Sequence, residues 1–473
     1  MGAMRRTKIV ATLGPASQTP EVLGAMLDAG VNVVRLNFSH GTPDQHASRL
    51  AAARGAAASR GLPLAVLVDL PGPKLRVGSL PGGRVVLEDG QEVMLVAGER
   101  GADGAIPVAY PHLAQDVRPG DRIFLQDGEL ALVVGAVLPP RVRCTVACGG
   151  VLREQAGVNL PGVRLSVPAT SDEDLRCLAW AVQHHVDYVG LSFVASAADI
   201  ERARAVLAAQ GSPCRLVAKI ERRLALDEIA AVVAAADAVM VARGDLAVET
   251  SVEEVPVVQK RIIGLCNRLG RPVITATQML ESMVEHRRPT RAEAADVANA
   301  VLDGSDALML SGETAIGAHP VEAVATMAAI AEHAESALPY DQVLAARLSE
   351  HAGDTSEAIA VAAVEAAQTI GAAAIVAATE TGSTARRVAR LRPRQPVVAV
   401  THVERTWREL ALVWGVRPVL VEQVSDLDLL VAQGVRAARA LGLADPGDRV
   451  VVTAGLPIGQ PGTTNLLKVI AVD

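Results

Sequence analysis

The sequence is poor in aromatic residues: phenylalanine, tyrosine and tryptophan occur three times each among 473 residues, although half of all residues are hydrophobic. A core with so few rings has to be built from Ala, Val and Leu, as the cores of packed helices and parallel strands often are. A chain of this length exceeds what one hydrophobic core usually organises, so we expect two or three domains.

Cysteine is also scarce, and no two cysteines form a Cys-x-x-Cys pair. The five cysteines lie within apolar or periodic segments, at positions 144, 148, 177, 214 and 266. An odd number without paired spacing favours reduced structural thiols over a metal-binding or catalytic role.

The sequence lacks a basic tract and an apolar run of membrane-spanning length. The formal net charge is −7, and charges of both signs are spread along the chain. This distribution offers no patch for nucleic acid or an anionic membrane, and the missing apolar run argues against a transmembrane helix. We therefore expect small-molecule partners, no nucleic acid and no membrane, and a cytoplasmic protein.

Short apolar runs of strand length alternate with helical stretches in two parts of the chain. Eight such runs occur, at residues 8–13, 31–38, 64–70, 188–193, 215–220, 238–242, 272–277 and 307–310. Eight β/α units predict a closed (β/α)8 TIM barrel, and such barrels carry their chemistry at the C-terminal ends of the strands.

Two further regions have different patterns. Between the third and fourth runs, short Val/Leu/Arg segments alternate with glycine-containing turns, which predicts an inserted β-barrel domain. After Pro339, runs at 374–377, 397–400, 416–421, 450–453 and 469–472 predict an α/β domain with an open, mainly parallel sheet. The predicted domains are residues 1–74 with 158–336, residues 75–157, and residues 337–473.

A lysine and two carboxylates lie at the ends of two predicted strands. Lys219 and Glu221 alternate along one strand, so both point into one cavity, and Asp245 follows Gly244 at the end of the next. Because Mg²⁺ commonly takes one or two carboxylates and completes its shell with water and substrate oxygens, Glu221 and Asp245 predict a Mg²⁺ site, with Mn²⁺ as an alternative ion. Lys219 could balance charge on a transferring phosphoryl group or an enolate oxygen. The alternative is a pair of surface salt bridges.

More polar side chains follow other strands. Arg35, Asn37 and Ser39 alternate onto one face, Asp69 ends the next strand, and Thr277 ends a further one. Together they predict an oxygen-rich lining with one cation beside the metal. Taken singly, Asn37 and Ser39 could instead cap a helix, and Thr277 could be an ordinary strand residue.

Six segments that contain or flank these residues resemble the pyruvate kinase family. They are Lys8-Ile9-Val10-Ala11-Thr12-Leu13-Gly14-Pro15, Arg35-Leu36-Asn37-Phe38-Ser39-His40-Gly41, Arg243-Gly244-Asp245-Leu246, Ala276-Thr277-Gln278-Met279-Leu280-Glu281-Ser282-Met283, Pro289-Thr290-Arg291-Ala292-Glu293 and Ser311-Gly312-Glu313-Thr314-Ala315. The resemblance implies phosphoryl transfer from phosphoenolpyruvate to ADP, giving pyruvate and ATP in the last step of glycolysis. It also implies that the inserted β domain is a lid that closes over the nucleotide and excludes water.

The resemblance assigns roles to individual residues. Lys219 would stabilise the phosphoryl group and the enolate, and Glu221 and Asp245 would bind Mg²⁺. The implied substrate-binding residues are Arg35, Lys219, Gly244, Asp245 and Thr277, with Thr277 near the proton-delivery route. The implied nucleotide-binding residues are Asn37, Phe38, Ser39, His40 and Arg76, and Asp127 in a lid turn either faces the nucleotide or is a plain hairpin residue.

The segment after Asp69 departs from the common family pattern. Many members have Thr-Lys-Gly-Pro-Glu there and need K⁺, whereas this chain has Leu70-Pro71-Gly72-Pro73-Lys74. A lysine ammonium is a compact point charge, so Lys74 would replace K⁺ at the monovalent-cation site of Asn37, Ser39, Asp69 and Leu70. The chain thus resembles the potassium-independent branch. A second departure, Ala156 in place of a nucleotide-facing lysine, leaves the base preference open.

A hydroxyl-rich turn in the C-terminal domain predicts a phosphate site. It precedes a helix, whose N-terminus attracts anions, and contains Thr379, Thr381, Gly382, Ser383 and Thr384. Simple helix capping is the alternative. Family resemblance favours an allosteric site for fructose 1,6-bisphosphate, another sugar phosphate or AMP, lined also by Trp407 and residues 455–462, in a homotetramer. A different Mg²⁺-dependent barrel enzyme and a metabolite-sensing pseudoenzyme are the competing interpretations.

Overall fold

The computed structural model describes residues 5–101, 104–167, 170–348, 353–460 and 462–473. Its first part consists of three parallel strands and two helices, β1 (Lys8–Thr12), α1 (Pro20–Asp28), β2 (Val33–Asn37), α2 (Pro43–Ala58) and β3 (Ala65–Asp69). Thr19 caps α1, and Thr42 caps α2 together with Gln45 in a capping box. The alternative role of Asn37 or Ser39 as a helix cap is therefore wrong.

The inserted domain follows β3 and is built almost entirely from strands. They are β4 (Arg84–Leu87), β5 (Glu92–Ala97), β6 (Ile106–Val108), β7 (Arg122–Leu125), β8 (Leu130–Leu138), β9 (Arg141–Cys148), β10 (Gly150–Arg153) and β11 (Val158–Asn159), with the short helix α3 (Leu113–Asp116). An antiparallel bridge between Arg76 and Gly157 joins the two chain segments that enter and leave this domain. Its buried aliphatic side chains form a core of their own.

The strands of the inserted domain form two sheets. Among the described residues, one sheet has six strands in the order β11-β7-β8-β9-β5-β6, and β4 pairs separately with β10. Residues 75–78 bridge the two edge strands: the Val77 N–H donates to Ala156 O, beside β11, and the Gly78 N–H donates to Pro107 O of β6, both at 2.8 Å. The prediction of an all-β insertion was correct, and the bridging segment links both edges of the six-stranded sheet, as a β-barrel requires.

The β/α alternation resumes after the insertion. The strands are β12 (Tyr188–Leu191), β13 (Arg215–Ile220), β14 (Ala238–Ala242), β15 (Val273–Ala276) and β16 (Ala307–Leu310). The helices are α4 (Asp172–Gln183), α5 (Ala197–Ala209), α6 (Arg223–Asp227), α7 (Ile229–Ala235), α8 (Arg243–Glu249), α9 (Val255–Leu269), α10 (Arg291–Leu302), α11 (Gly312–Ala315) and α12 (Pro320–Ser336).

Eight strands close into a parallel barrel in the order β1-β16-β15-β14-β13-β12-β3-β2, which confirms the predicted TIM barrel. Its interior is filled by small and aliphatic side chains, with Tyr188 as the aromatic exception. Three predicted runs coincide with β13, β14 and β16, whereas the run 188–193 continues two residues beyond β12. Ser192 and Phe193 leave the strand because Phe193 adopts a left-handed conformation, with φ of 55°.

The C-terminal part contains a five-stranded sheet between helices. Its elements are α13 (Tyr340–Leu348), α14 (Thr355–Thr369), β17 (Ala374–Ala378), α15 (Ser383–Arg390), β18 (Val397–Thr401), α16 (Glu404–Glu409), β19 (Val416–Leu420), α17 (Leu427–Ala440), β20 (Arg449–Gly455) and β21 (Thr464–Ala471). The order is β19-β18-β17-β20-β21, and only β21 is antiparallel to its neighbour. This arrangement confirms an open, mainly parallel sheet. The residue boundaries of the three domains remain predictions.

The cysteines and the helices can be compared with what the composition predicts. All five cysteines are free thiols, and four are buried, with Cys148 exposed. Burial raises the pKa of Cys144 and Cys214 to about 12, so these thiols stay protonated at neutral pH. None of the helices in the described part of the chain has the length and apolar character needed to cross a membrane.

Candidate active site

Lys219 lies near the C-terminal end of β13, and its buried ammonium contacts three polar side chains. Nζ lies 2.7 Å from Glu221 Oε1 and 3.0 Å from Asp69 Oδ1, and it donates a hydrogen bond to Ser192 Oγ at 2.7 Å. Burial alone would lower the pKa of Lys219, but the two carboxylates raise it above its ordinary value. The side chain is therefore held as a cation in the barrel mouth.

Glu221 and Asp245 form the predicted carboxylate pair. Glu221 is 2% exposed, and its Oε2 accepts a hydrogen bond from the Phe193 N–H at 2.8 Å. Burial and the neighbouring charge of Asp245 raise the pKa of Glu221, although Lys219 opposes this shift. No group of three or more His, Cys, Asp and Glu side chains suited to a metal occurs among the described residues. Two carboxylates with excess negative charge fit an ion that takes its other ligands from water and substrate.

Arg35 and Asp69 connect neighbouring strands beside Lys219. Arg35 Nε donates to Asp69 Oδ2 at 2.7 Å, and Nη1 donates to Thr12 Oγ1 at 3.1 Å. Burial would raise the pKa of Asp69, but Lys219 and Arg35 lower it below its ordinary value. The barrel mouth thus holds two cations, Arg35 and Lys219, against the three carboxylates of Asp69, Glu221 and Asp245.

Thr277 begins a strained turn after β15. Thr277 and Gln278 have φ of 68° and 52°, in the left-handed region that β-branched residues rarely adopt. Arg243 holds this turn by donating to Thr277 O at 2.6 Å and to Ala276 O at 3.2 Å, and it pairs with Asp296 at 2.6 Å. The Gly244 N–H donates to Thr277 Oγ1 at 2.9 Å, so these two predicted residues are in direct contact.

Comparison with known proteins identifies the family. The family model described as pyruvate kinase, barrel domain, matches residues 4–324, and the model for the pyruvate kinase alpha/beta domain matches residues 357–470. A pyruvate kinase of Clostridium acetobutylicum is 42% identical over 473 residues, which cover 99% of this chain and all of that enzyme. The chain belongs to the pyruvate kinase family. It is therefore a phosphotransferase.

Two further relatives agree with this identification. A pyruvate kinase of Geobacillus stearothermophilus is 44% identical over 469 residues, which cover 98% of this chain and 80% of that enzyme. The crystal structure of a pyruvate kinase from Cryptosporidium parvum superposes with a TM-score of 0.95 at 34% identity, over 99% of this chain and 96% of that one. The pyruvate kinase architecture thus extends over nearly the whole chain.

The loop after β2 carries the residues that the pyruvate kinase resemblance assigns to the nucleotide. Burial, and then the positive charges of Lys74, Arg76 and Arg35, lower the pKa of His40 in this loop. Phe38 is partly buried: its ring stacks on His46 at 4.2 Å and meets Trp180 edge-on at 4.9 Å.

Two other residues of the predicted nucleotide site lie at the hinge and the tip of the inserted domain. Arg76 donates to Gln155 O at 2.9 Å, beside the bridge to Gly157. Asp127 has a left-handed φ of 54°, as expected of a hairpin turn. A Cβ on the adjacent Gly128 would lie 3.6 Å from Val248 of α8, so this turn rests on the helix that carries Asp245.

The groups of the predicted monovalent-cation site have other partners in the described structure. Asp69 pairs with Arg35 and Lys219, and Leu70 O accepts a hydrogen bond from Ser192 Oγ at 2.7 Å. Asn37 Oδ1 accepts from the Ser39 N–H at 3.1 Å, within a turn beyond the end of β2. Lys74 is exposed on the loop after β3, where its charge reaches His40.

A cleft lies at the C-terminal edge of the C-terminal sheet. Thr379, Thr381, Ser383 and Thr384 line it together with Gly455 and Gly462. Gly382 takes the left-handed conformation at the N-cap of α15, with φ of 80°. The prediction for Trp407 is wrong, because Trp407 borders a different cleft, where its indole N–H donates to Pro418 O at 3.2 Å.

Several residues that shape the active site were given no individual role from the sequence. They are Thr12, Ser192, Phe193 and Arg243. Ser192 and Phe193 gave no distinct signal, since serine and a single phenylalanine at a strand end are common. Arg243 was singled out as part of Arg243-Gly244-Asp245, but no local pattern indicates that it holds the Thr277 turn.

Proposed function

We propose that the chain catalyses Mg²⁺-dependent transfer of a phosphoryl group from phosphoenolpyruvate to ADP, giving pyruvate and ATP. The observation that carries this proposal is the position of the Lys219 ammonium, buried between Asp69 and Glu221 and next to Asp245 at the mouth of the barrel. A cation fixed beside two potential metal ligands suits a reaction in which negative charge moves between oxygens.

Different residues would bind the phosphoryl group and the carboxylate of phosphoenolpyruvate. Arg35 and Lys219 would bind the phosphoryl group, while the N–H groups of Gly244 and Asp245 and the Thr277 hydroxyl would receive the carboxylate. The bond between phosphorus and the enol oxygen breaks as phosphorus bonds to a terminal oxygen of ADP. Lys219 would balance the charge that then develops on the enolate oxygen.

Glu221 and Asp245 would hold the divalent ion. When bound, Mg²⁺ would neutralise charge on phosphate oxygens and help to orient them. Burial, and then the charge of Asp245, raise the pKa of Glu221, and a carboxylate in such surroundings gains from a nearby cation, which supports this assignment.

The second half of the reaction requires a proton at the methylene carbon of the enolate. Thr277 would deliver it, directly or through water, because its hydroxyl sits between the Gly244 N–H and the Ala276 carbonyl at the same strand end. The inserted domain would exclude bulk water from this step. Contact of its tip with α8 supports the role as a lid.

On the nucleotide side, Asn37, Phe38, Ser39, His40 and Arg76 would contact ADP and ATP. Phe38 would contribute through its backbone, since its ring packs between His46 and Trp180. The surrounding charges of Lys74, Arg76 and Arg35 suit a polyphosphate.

The proposal includes independence from K⁺. Asp69 already pairs with two cations, and Lys74 adds a third positive charge beside the Asn37–His40 loop. Lys74 would thus supply the charge that a bound K⁺ provides in other members of the family.

Regulation and assembly complete the proposal. A phosphorylated metabolite would bind the cleft lined by Thr379, Thr381, Ser383 and Thr384, where hydroxyls meet the N-terminus of α15 at its N-cap Gly382. A homotetramer is supported by exposed apolar side chains such as Val252, Val257 and Ile316 and by β21, which lies at the edge of the C-terminal sheet among the described residues. A cytoplasmic location is proposed from composition alone.

A coupled assay for pyruvate tests the proposed activity. We expect turnover that requires phosphoenolpyruvate, ADP and Mg²⁺ together. Pyruvate release without ADP would instead support another barrel enzyme, and the complete absence of turnover in folded protein would support a pseudoenzyme. Titration of fructose 1,6-bisphosphate, glucose 6-phosphate and AMP against the phosphoenolpyruvate saturation curve tests the regulatory cleft.

A further inference from the structure

The first residues of two neighbouring barrel strands both contact Glu409 of the C-terminal domain. The hydroxyl of Tyr188, the first residue of β12, donates to Glu409 O at 2.8 Å. Arg215, the first residue of β13, donates from Nε to Glu409 Oε2. The Glu409 side chain is 3% exposed and also accepts from Arg386 at 3.2 Å and Arg405 at 2.7 Å. The buried Glu409 carboxylate thus contacts three arginines where the barrel strands begin, at the end of the barrel that we call its floor.

Arg215 also reaches the loop that precedes α15. Its Nη2 donates to Thr381 O at 3.2 Å, and the same carbonyl accepts from Arg386 at 2.8 Å. The Thr406 hydroxyl of α16 donates to Glu380 O at 2.6 Å, which ties the loop to the helix that carries Glu409. Arg215 therefore touches both the carboxylate at the domain junction and the loop proposed to bind an effector phosphate.

The opposite ends of the same two strands build the active site. β12 leads into Ser192 and Phe193, and β13 carries Lys219 and leads into Glu221. The two ends contact each other, through Lys219 Nζ with Ser192 Oγ at 2.7 Å and the Phe193 N–H with Glu221 Oε2 at 2.8 Å. A six-residue strand is roughly 20 Å long, so Arg215 and Lys219 mark two ends of one short rigid element.

The packing of these strands favours their movement as a unit. Tyr188 and Arg215 are paired in register, and the ladder continues to Leu191 and Ala218. The residues of both strands are buried apart from the partly exposed Arg215. Close-packed interiors transmit displacement instead of absorbing it.

We propose that Arg215 is a positioning residue that couples the effector loop to the catalytic strand. A ligand that moves the Thr381 carbonyl changes the contacts of Arg215 with Thr381 and Glu409, and β13 carries that change to Lys219 and Glu221. The coupling part of this inference rests on the proposed effector site, whereas the positioning part does not.

The chain supplies two matched control residues. Arg392 makes another ion pair between the C-terminal domain and the barrel, with Asp306 at 3.1 Å, and its further partners are Asn267, Gly304 O and the Trp414 ring. None of these groups belongs to the effector loop. Arg204 pairs with Asp237 at 3.1 Å on the same floor of the barrel, and Arg215 lies 3.6 Å from the other oxygen of that carboxylate.

The first measurement needs no effector. We compare kcat, KM for phosphoenolpyruvate and Tm of Arg215→Met, Arg215→Lys, Arg392→Met and Arg204→Met. Small displacements of catalytic groups lower rates strongly, so we expect kcat of Arg215→Met to fall by about tenfold. Arg215→Lys should recover part of this loss, while Arg392→Met and Arg204→Met should lower Tm with little change in kcat.

The second measurement determines the coupling itself. The dissociation constant of glucose 6-phosphate is measured by calorimetry with and without phosphoenolpyruvate and Mg²⁺, because linkage between two sites is reciprocal. We expect a ratio of at least about fivefold in the unmodified protein and in both controls, and a ratio near one in Arg215→Met.

The outcomes separate the two proposals. If the unmodified protein responds to none of glucose 6-phosphate, fructose 1,6-bisphosphate and AMP, the effector site is refuted, and the kcat comparison alone decides the role of Arg215. If Arg215→Met matches the controls in kcat and in the coupling ratio, the inference is overturned. The inference is also overturned if kcat and the coupling ratio fall in Arg392→Met as much as in Arg215→Met. General loosening of the interface between the domains would then explain the effect.

Discussion

The Lys219 ammonium and the Glu221 carboxylate lie 2.7 Å apart, and both side chains are buried at the mouth of the barrel. Asp69 shares the ammonium at 3.0 Å. Removing one partner of a buried ion pair leaves the other charge without compensation, which typically costs about 3–5 kcal/mol. The pair therefore combines a structural role with the chemistry proposed for Lys219.

Replacement of Lys219 should lower both turnover and stability. In Lys219→Met, we expect kcat to fall by roughly a thousandfold, because the cation that balances the transferring phosphoryl group and the enolate is lost. A lowered Tm should accompany this change, since Asp69 and Glu221 lose a shared partner. Lys260→Met removes an exposed barrel lysine and should leave both quantities nearly unchanged. A Lys219→Met enzyme with more than a tenth of normal kcat would exclude the proposed role.

Arg243 should control the active site through the Thr277 turn. Arg243→Met removes the donors to Thr277 O and Ala276 O, so the left-handed conformation of Thr277 and Gln278 loses its support. We expect kcat/KM for phosphoenolpyruvate to fall by roughly ten- to a hundredfold, because the carboxylate-binding hydroxyl is misplaced.

The matched control for this change is Arg223→Met, which removes an exposed ion pair with Glu254 at 3.5 Å. Its kcat/KM should stay close to that of the unmodified enzyme. Equal effects of the two substitutions would show that loss of an arginine, and not the release of Thr277, explains the result.

Turnover should not depend on K⁺. We expect the unmodified enzyme to have nearly equal rates in K⁺-free buffer and with K⁺ added. Lys74→Glu should create a potassium requirement, because a cation beside the Asn37–His40 loop is replaced by a carboxylate. Lys260→Glu is the control for the change of charge. A large rise on adding K⁺ to the unmodified enzyme contradicts the proposal, and a Lys74→Glu variant that ignores K⁺ contradicts the role of Lys74.

Lys8 should make stability depend on pH. Its buried Nζ donates to Val416 O at 2.7 Å, and burial, with the charges of Arg417 and Arg5, lowers the pKa of Lys8 well below its ordinary value of 10.5. Between the lowered folded-state pKa and the unfolded-state value, the unfolded chain binds more protons, so this contribution to stability rises with pH. Tm of the unmodified protein should therefore rise relative to that of Lys8→Met between pH 7.5 and 9.5.

The comparison variant for this effect is Lys468→Met, which alters an exposed lysine paired with Asp428. Its Tm difference from the unmodified protein should not change over the same interval. If the Lys8→Met difference is also constant between the two pH values, Lys8 does not titrate as its burial implies.

Much of the fold followed from the sequence because strand periodicity and turn residues are local signals. Alternation within β13 alone placed Lys219 and Glu221 in one cavity, and three of the predicted strands have the observed boundaries. The β-insertion was located by its turns, but its strand pairing could not be predicted from local patterns, because β4 pairs with β10 across more than sixty residues.

The rest of the site depends on contacts that local patterns cannot encode. Ser192 joins Lys219 to Leu70 O, and these three residues come from three strands that are distant in sequence. Trp407 was assigned to the effector cleft from the family resemblance, yet its indole faces β19 and the floor of the barrel. The resemblance did not determine which face of α16 this side chain occupies.

The central claim is that Lys219, Glu221 and Asp245 form a Mg²⁺-dependent site for phosphoryl transfer between phosphoenolpyruvate and ADP. Phosphorus NMR follows the phosphoryl group directly. We predict that the phosphoenolpyruvate signal decays while the γ-phosphate of ATP appears, only when ADP and Mg²⁺ are both present, and that Glu221→Gln and Asp245→Asn abolish this exchange while Glu254→Gln does not. Release of inorganic phosphate instead of ATP, or transfer that persists in both carboxylate variants, would contradict the account.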